Sequence, residues 1–224
     1  KGIFERDTRL GGGNDRFEVT IPQQEKEVTY LISIHTIWRK NGNPLGWIWS
    51  HSGWTGRVTL AGKAYRVALA DTPDGALGSS GQFFLYEWKD DMDVQELQDY
   101  PLGIIDGIPR QLFLQGKYYT LSYTYVSGEA GHSDLMFTAR PTEVPLGALA
   151  FEGKNLHQVI LRDKLNGPVC VVLDHPGPSV SVPVGKYEAE SVILSDGEQV
   201  PSLLKSKLEL PCAVTPERPT SLKL

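Results

Sequence analysis

A short phrase, apolar-x-Gly-Lys, recurs along the chain, and alternating residues come after it. It reads Leu60-Ala61-Gly62-Lys63, Leu114-Gln115-Gly116-Lys117 and Phe151-Glu152-Gly153-Lys154, with a variant at Pro183-Val184-Gly185-Lys186-Tyr187. Gly-Lys reads as a turn tip, and the segment behind it reads as a strand leaving that tip. Behind the first copy, Tyr65, Val67 and Leu69 alternate with Arg66 and Ala68. Behind the second, Tyr119, Leu121, Tyr123 and Tyr125 alternate with Thr120, Ser122 and Thr124. A period of two is what a half-buried strand requires. Val28, Tyr30, Ile32 and Ile34 show the same period against Thr29, Ser33 and His35. The copies are unequally spaced, which argues against a solenoid or propeller with a fixed period. The phrase is a reused turn, the first two copies opening strands in one domain and the last two in another.

Residues 83–88, 159–161, 169–173, 187–194 and 203–210 add short strand candidates. One short helix is expected at 91–98, capped by Asp90 or Asp91. Gly and Pro punctuate the rest, as in Asn41-Gly42-Asn43-Pro44, Asn166-Gly167-Pro168 and Pro176-Gly177-Pro178. Short strands with turns at this density predict an all-β chain of two β-sandwich-like domains, Ig-like or jelly-roll-like, with little helix. The expected division is 1–135, carrying all the tryptophans, then a smaller domain at 136–212. Residues 213–224 have the composition of a linker or a lead into a further domain.

A chain of 224 residues is long enough to fold without disulfides or metal. A net charge of −5 argues against nucleic acid, whose phosphates need a basic face. No apolar run approaches the ~20 residues of a membrane helix. Lys1 in place of Met fits removal of a signal peptide and export, or a chain cut at a chosen boundary. The two cysteines, Cys170 and Cys212, stand equally as a disulfide of an oxidising compartment and as free buried thiols.

Three groups of residues suggest binding. Asp71-Thr72-Pro73-Asp74-Gly75 has the acids and glycine of a calcium loop, and Asp91 is a further oxygen donor if the intervening segment folds back. The competing reading is a hairpin turn. Trp47 and Trp49 share one face of a strand, and with Trp54 they make either a platform for sugar rings or core. The acidic stretch 87–99 is a solvated face or a cation site. Motifs of the common hydrolases and nucleotide enzymes are absent. Ser202-Leu203-Leu204-Lys205 has the spacing of S-x-x-K but reads as strand or loop, where the helix that motif needs does not form. The five histidines are scattered singly, with no close-spaced ligand pair.

Val182-Pro183-Val184-Gly185-Lys186-Tyr187-Glu188 resembles the Pro-x-Gly-x-Tyr strand opening of carboxypeptidase-regulatory-like, transthyretin-like and other bacterial Ig-like modules. Gly62, Lys63, Tyr65, Asp71, Gly75, Gly116, Lys117 and Tyr119 resemble the spacing found in β-rich exported bacterial proteins. The resemblance implies an extracytoplasmic, multi-domain protein and no catalytic residues. The expected function is an exported, non-catalytic binding or structural module of a cell-surface or periplasmic protein, with a protein or polysaccharide partner. The alternatives are a carbohydrate-binding module and an enzyme whose site the sequence does not reveal.

Overall fold

The computed structural model describes residues 2–7, 17–23, 26–38, 44–50, 53–70, 81–88, 103–127, 133–153, 155–163, 169–194, 202–204 and 208–223. The protein is all-β, and no helix occurs among these residues. The helix expected at 91–98 lies outside them.

The chain forms two compact units that are interleaved in sequence. Unit 1 comprises Lys1–Thr59, Ala64–Ile108 and Tyr123–Thr138, and unit 2 comprises Leu60–Lys63, Pro109–Ser122 and Ala139–Leu224. The division expected at 135/136 falls inside the strand Ser133–Thr142. All four Gly-Lys phrases belong to unit 2.

Unit 1 contains β1 (Gly2–Asp7), β5 (Gly53–Leu60), β6 (Lys63–Ala70), β7 (Gln82–Glu87) and β8 (Gly103–Asp106), hydrogen-bonded in that order. β11 (Ser133–Thr142) pairs with β1 on its other side, Gly2 facing Phe137. A second, three-stranded sheet runs β2 (Phe17–Gln23), β3 (Lys26–Trp38), β4 (Pro44–Ser50). The core of this unit is aromatic. Trp54 is 1% exposed and meets Tyr30 and Tyr125 edge-on, at ring-centroid distances of 6.5 and 5.7 Å. Tyr123 packs on Phe137 at 5.4 Å. Edge-on rings set the positive rim of one against the negative face of the other.

Unit 2 contains two sheets that share an apolar core. Its larger sheet runs β17 (Ser202–Leu204), β16 (Gly185–Leu194), β13 (Leu156–Asp163), β14 (Val169–Asp174), β9 (Gln111–Leu114), β10 (Lys117–Ser127), and β18 (Leu208–Val214) also pairs with β16. The smaller sheet is β15 (Ser179–Pro183), β12 (Leu146–Glu152), β19 (Thr220–Lys223). Thus residues 220–223 of the expected linker are a strand, paired in parallel with β12 and burying Leu222. Leu149, Phe151, Val182 and Leu222 of the small sheet close over Val159, Leu161, Val171, Leu173 and Val192 of the large one. Ile160, Cys170 and Val172, at the intervening positions of β13 and β14, are buried too. That double burial explains why 169–173 reads as a continuous apolar run rather than an alternating one.

The turn chemistry explains the hairpins. Ala61 and Gly62 have φ of 50° and 84°, and Gln115 and Gly116 have 50° and 74°. Positive φ at both central residues is the type I′ turn, whose twist matches that of the strands it joins. Leu114 and Lys117 pair directly across the second one. The two tips are linked, since the Tyr119 hydroxyl accepts the Ala61 N–H at 2.7 Å.

Candidate functional site

Of the residues picked from sequence, the described side chains are those of Trp54, Cys170 and Cys212. Trp54 is buried in the unit 1 core, which removes it from any sugar platform. A ring of that size contributes most stability when fully desolvated, and Tyr30 and Tyr125 help to keep it so. Trp47 and Trp49 lie on β4 in register with His35 and Ser33, and their side chains fall outside the described residues. Asp71, Asp74 and Asp91, the expected calcium donors, also lie outside them. Ser202–Leu204 is strand β17, as the strand or loop reading of that segment expects.

Cys170 and Cys212 are free and buried. Cys170 of β14 faces Arg162 of β13, whereas Cys212 of β18 faces Tyr187 of β16. β13 and β16 therefore stand between the two thiols. Three strand spacings amount to about 14 Å, and a disulfide needs Cα atoms within about 7 Å. Cys212 also packs in the core between the sheets, while Cys170, at an intervening position with Arg162, is on the other face. Burial pushes both thiols up from their ordinary range, and for Cys170 the nearby Glu190 adds to the effect. A thiol held protonated is a packing group rather than a nucleophile.

A polar cluster lies within the unit 2 core. Asp163 is buried and registers opposite Tyr187. The Tyr187 hydroxyl donates to the Pro183 carbonyl at 2.8 Å. Burial pushes the Tyr187 and Tyr118 hydroxyls above the ordinary tyrosine pKa, and the Asp163 carboxylate pushes them further. A Cβ on Gly185 would come within 3.1 Å of Asp163 Oδ2 and 3.0 Å of the Tyr187 ring, so the last Gly-Lys phrase needs glycine for close approach.

A trio of other residues converges. His157 lies near the start of β13, Asp174 ends β14, and His175 comes directly after it. β13 and β14 form a hairpin in which Gln158 faces Asp174 and Asp163 faces Val169. The ladder continues one residue further, with the His175 N–H donating to the His157 carbonyl at 2.7 Å. The two imidazoles therefore meet, with ring centroids 4.2 Å apart and planes at 71°. Asp174 Oδ1 is 2.8 Å from His175 Nδ1. One donor atom from each of the three side chains falls within 4.8 Å of the others.

The two histidines lie at the open end of the hairpin, where β13 shifts register against β16 between Leu156 and Gln158 and Leu156 packs against the apolar core. There the apolar cover thins: His157 and Asp174 are half-buried, and the His175 side chain is 65% exposed. Sequence reasoning misses the pairing because 18 positions separate His157 from His175. The signal is nonetheless present. Asn166-Gly167-Pro168 is a turn signal in the sequence, and strand residues equidistant from position 166 face each other, which brings His157 opposite His175.

No protein family, curated protein or solved structure matches this chain.

Proposed function

We propose that this chain is a non-catalytic binding or structural β-module of an extracytoplasmic protein. The observation that supports the reading is how four potentially reactive side chains among the described residues are used. Cys170, Cys212, Tyr86 and Tyr187 are all buried, desolvation pushes each above its ordinary pKa, and Tyr187 donates its hydroxyl proton to a backbone carbonyl. Side chains committed in this way stabilise strands and sheets; a nucleophile or general base needs the opposite arrangement, an accessible group poised near neutral pH. The extracytoplasmic location and the transthyretin-like character of the second module rest on the resemblance of the Gly-Lys and Pro-x-Gly-x-Tyr phrases. No helix among the described residues is long and apolar enough to cross a membrane.

The test is a pair of assays on the purified chain. Chromogenic ester, phosphate, peptide and glycoside substrates should show no turnover above a heat-treated control, while a panel of insoluble cell-envelope polysaccharides should include one that retains the protein saturably. Turnover that co-purifies with the chain to homogeneity overturns the reading.

A further inference from the structure

We propose that His157, Asp174 and His175 form a binding site for a divalent transition metal of the zinc class, clasping the open end of the β13–β14 hairpin. A structural clasp of this kind is compatible with any function, so it stands independently of the binding-module reading.

The donor set points to this class of ion. Two imidazoles and one carboxylate are the ligands of borderline ions such as zinc, whereas calcium takes oxygen donors only. Ligands about 2.0–2.2 Å from a tetrahedral ion lie about 3.3–3.6 Å from one another. The three donor atoms already lie within 4.8 Å, so small rotamer changes close the shell. Three protein ligands leave a fourth position for water or a ligand from another molecule.

The backbone favours the same arrangement. His157 and His175 are fixed opposite each other by the hairpin register and by their own N–H to carbonyl bond. His175 adopts φ of 45°, a left-handed conformation that a side-chain-bearing residue takes at some cost. That conformation turns the chain at the end of β14, in the residue whose ring meets His157 and whose Nδ1 meets Asp174. A mere surface hairpin end needs neither the ring contact nor the paired carboxylate. His175 is two-thirds exposed and would otherwise lie in solvent.

The experiment is isothermal titration of zinc chloride into the metal-stripped full chain, with calcium chloride as the comparator. Saturable zinc binding with one ion per chain is expected, together with a raised melting temperature and no calcium heat. Removing one imidazole, by His157→Ala or by His175→Asn, should weaken zinc binding by at least about 10-fold. Asn tolerates the left-handed backbone, so His175→Asn separates ligand loss from misfolding, and circular dichroism confirms the strand signal in each variant. Cobalt bound to the unaltered chain should give the intense visible absorption of a tetrahedral site, absent from the double variant. No saturable zinc binding to the unaltered chain, or unchanged binding to a folded double variant, overturns the proposal.

Discussion

The same four-residue phrase has two different fates in this protein. At Ala61-Gly62 and Gln115-Gly116 it is a type I′ tip, with both central residues at positive φ and nothing within 4 Å of where a Cβ would sit on either glycine. At the other two copies the strands on either side belong to different sheets, β12 and β15 to the small sheet of unit 2 and β13 and β16 to the large one. There the glycine at 185 serves space rather than backbone angle, and its neighbours are a buried carboxylate and a buried tyrosine ring. Turn chemistry alone therefore identifies a change of direction. Whether the change is a hairpin or a crossover depends on which strand the emerging segment pairs with.

Asparagine separates the two causes, because it accepts the left-handed backbone but not a filled space. Gly185→Asn should destabilise by about 2–3 kcal/mol through overpacking, and Gly116→Asn by less than about 1 kcal/mol. Equal losses in urea midpoints would erase the distinction.

The crossover end should also be the alkali-sensitive one. Tyr187 lies two residues beyond Gly185, and burial raises its pKa above the ordinary 10.0, with Asp163, Tyr118 and Cys212 adding to the effect. Cys212 beside it rises from 9.0. The unfolded chain loses these protons first, so the folded state binds more protons and stability falls as pH rises. Stability should be level up to about pH 9 and decline beyond it, and Tyr187→Phe should flatten the part above about pH 10. A decline just as steep in the Phe variant counts against Tyr187 as the cause.

A smaller effect is expected at the hairpin tips. Tyr119→Phe removes the acceptor of the Ala61 N–H, at about 1 kcal/mol. Hydrogen exchange at Ala61 should accelerate in that variant, and an unchanged rate would mean that the two tips are held independently.

The smallest effect belongs to the third phrase. Glu152 accepts from the Ser221 hydroxyl and sits 3.5 Å from Lys223 Nζ, tying β12 to β19. The Ser221 bond, more than Lys223, holds its carboxyl below the usual 4.5. That contribution is present above the unfolded value and lost as pH falls through the folded one. Glu152→Gln should lower the melting temperature slightly at pH 7 and leave it unchanged at strongly acid pH. A loss that persists in acid would point to packing instead, since an exposed ion pair is worth little.

Much of the strand layout is legible in the sequence. Tyr119, Leu121, Tyr123 and Tyr125 are buried, and Thr120, Ser122 and Thr124 are exposed, as the alternation predicts. Tyr65, Val67 and Leu69 are all fully buried on β6. Parity fails on β16, where register shifts against β13 put both Ala189 and Val192 on the core side. A bulge resets the face after it, and nothing in the local pattern marks it. The candidate site is less legible. Trp54 as platform or as core is a question of exposure, and exposure depends on Tyr30 and Tyr125, far away in the chain.

The sequence by itself determined that the chain is made of strands, where several of them run and where two tight tips lie. These follow from forces acting between near neighbours: side-chain alternation, β-branching and the positive φ that glycine admits. Tertiary structure alone decided that the units interleave, that Cys170 and Cys212 lie on opposite faces with two strands between them, and that His157 meets His175 beside Asp174. Those outcomes depend on pairing register and sheet order, which are set by burial shared among segments far apart in the chain.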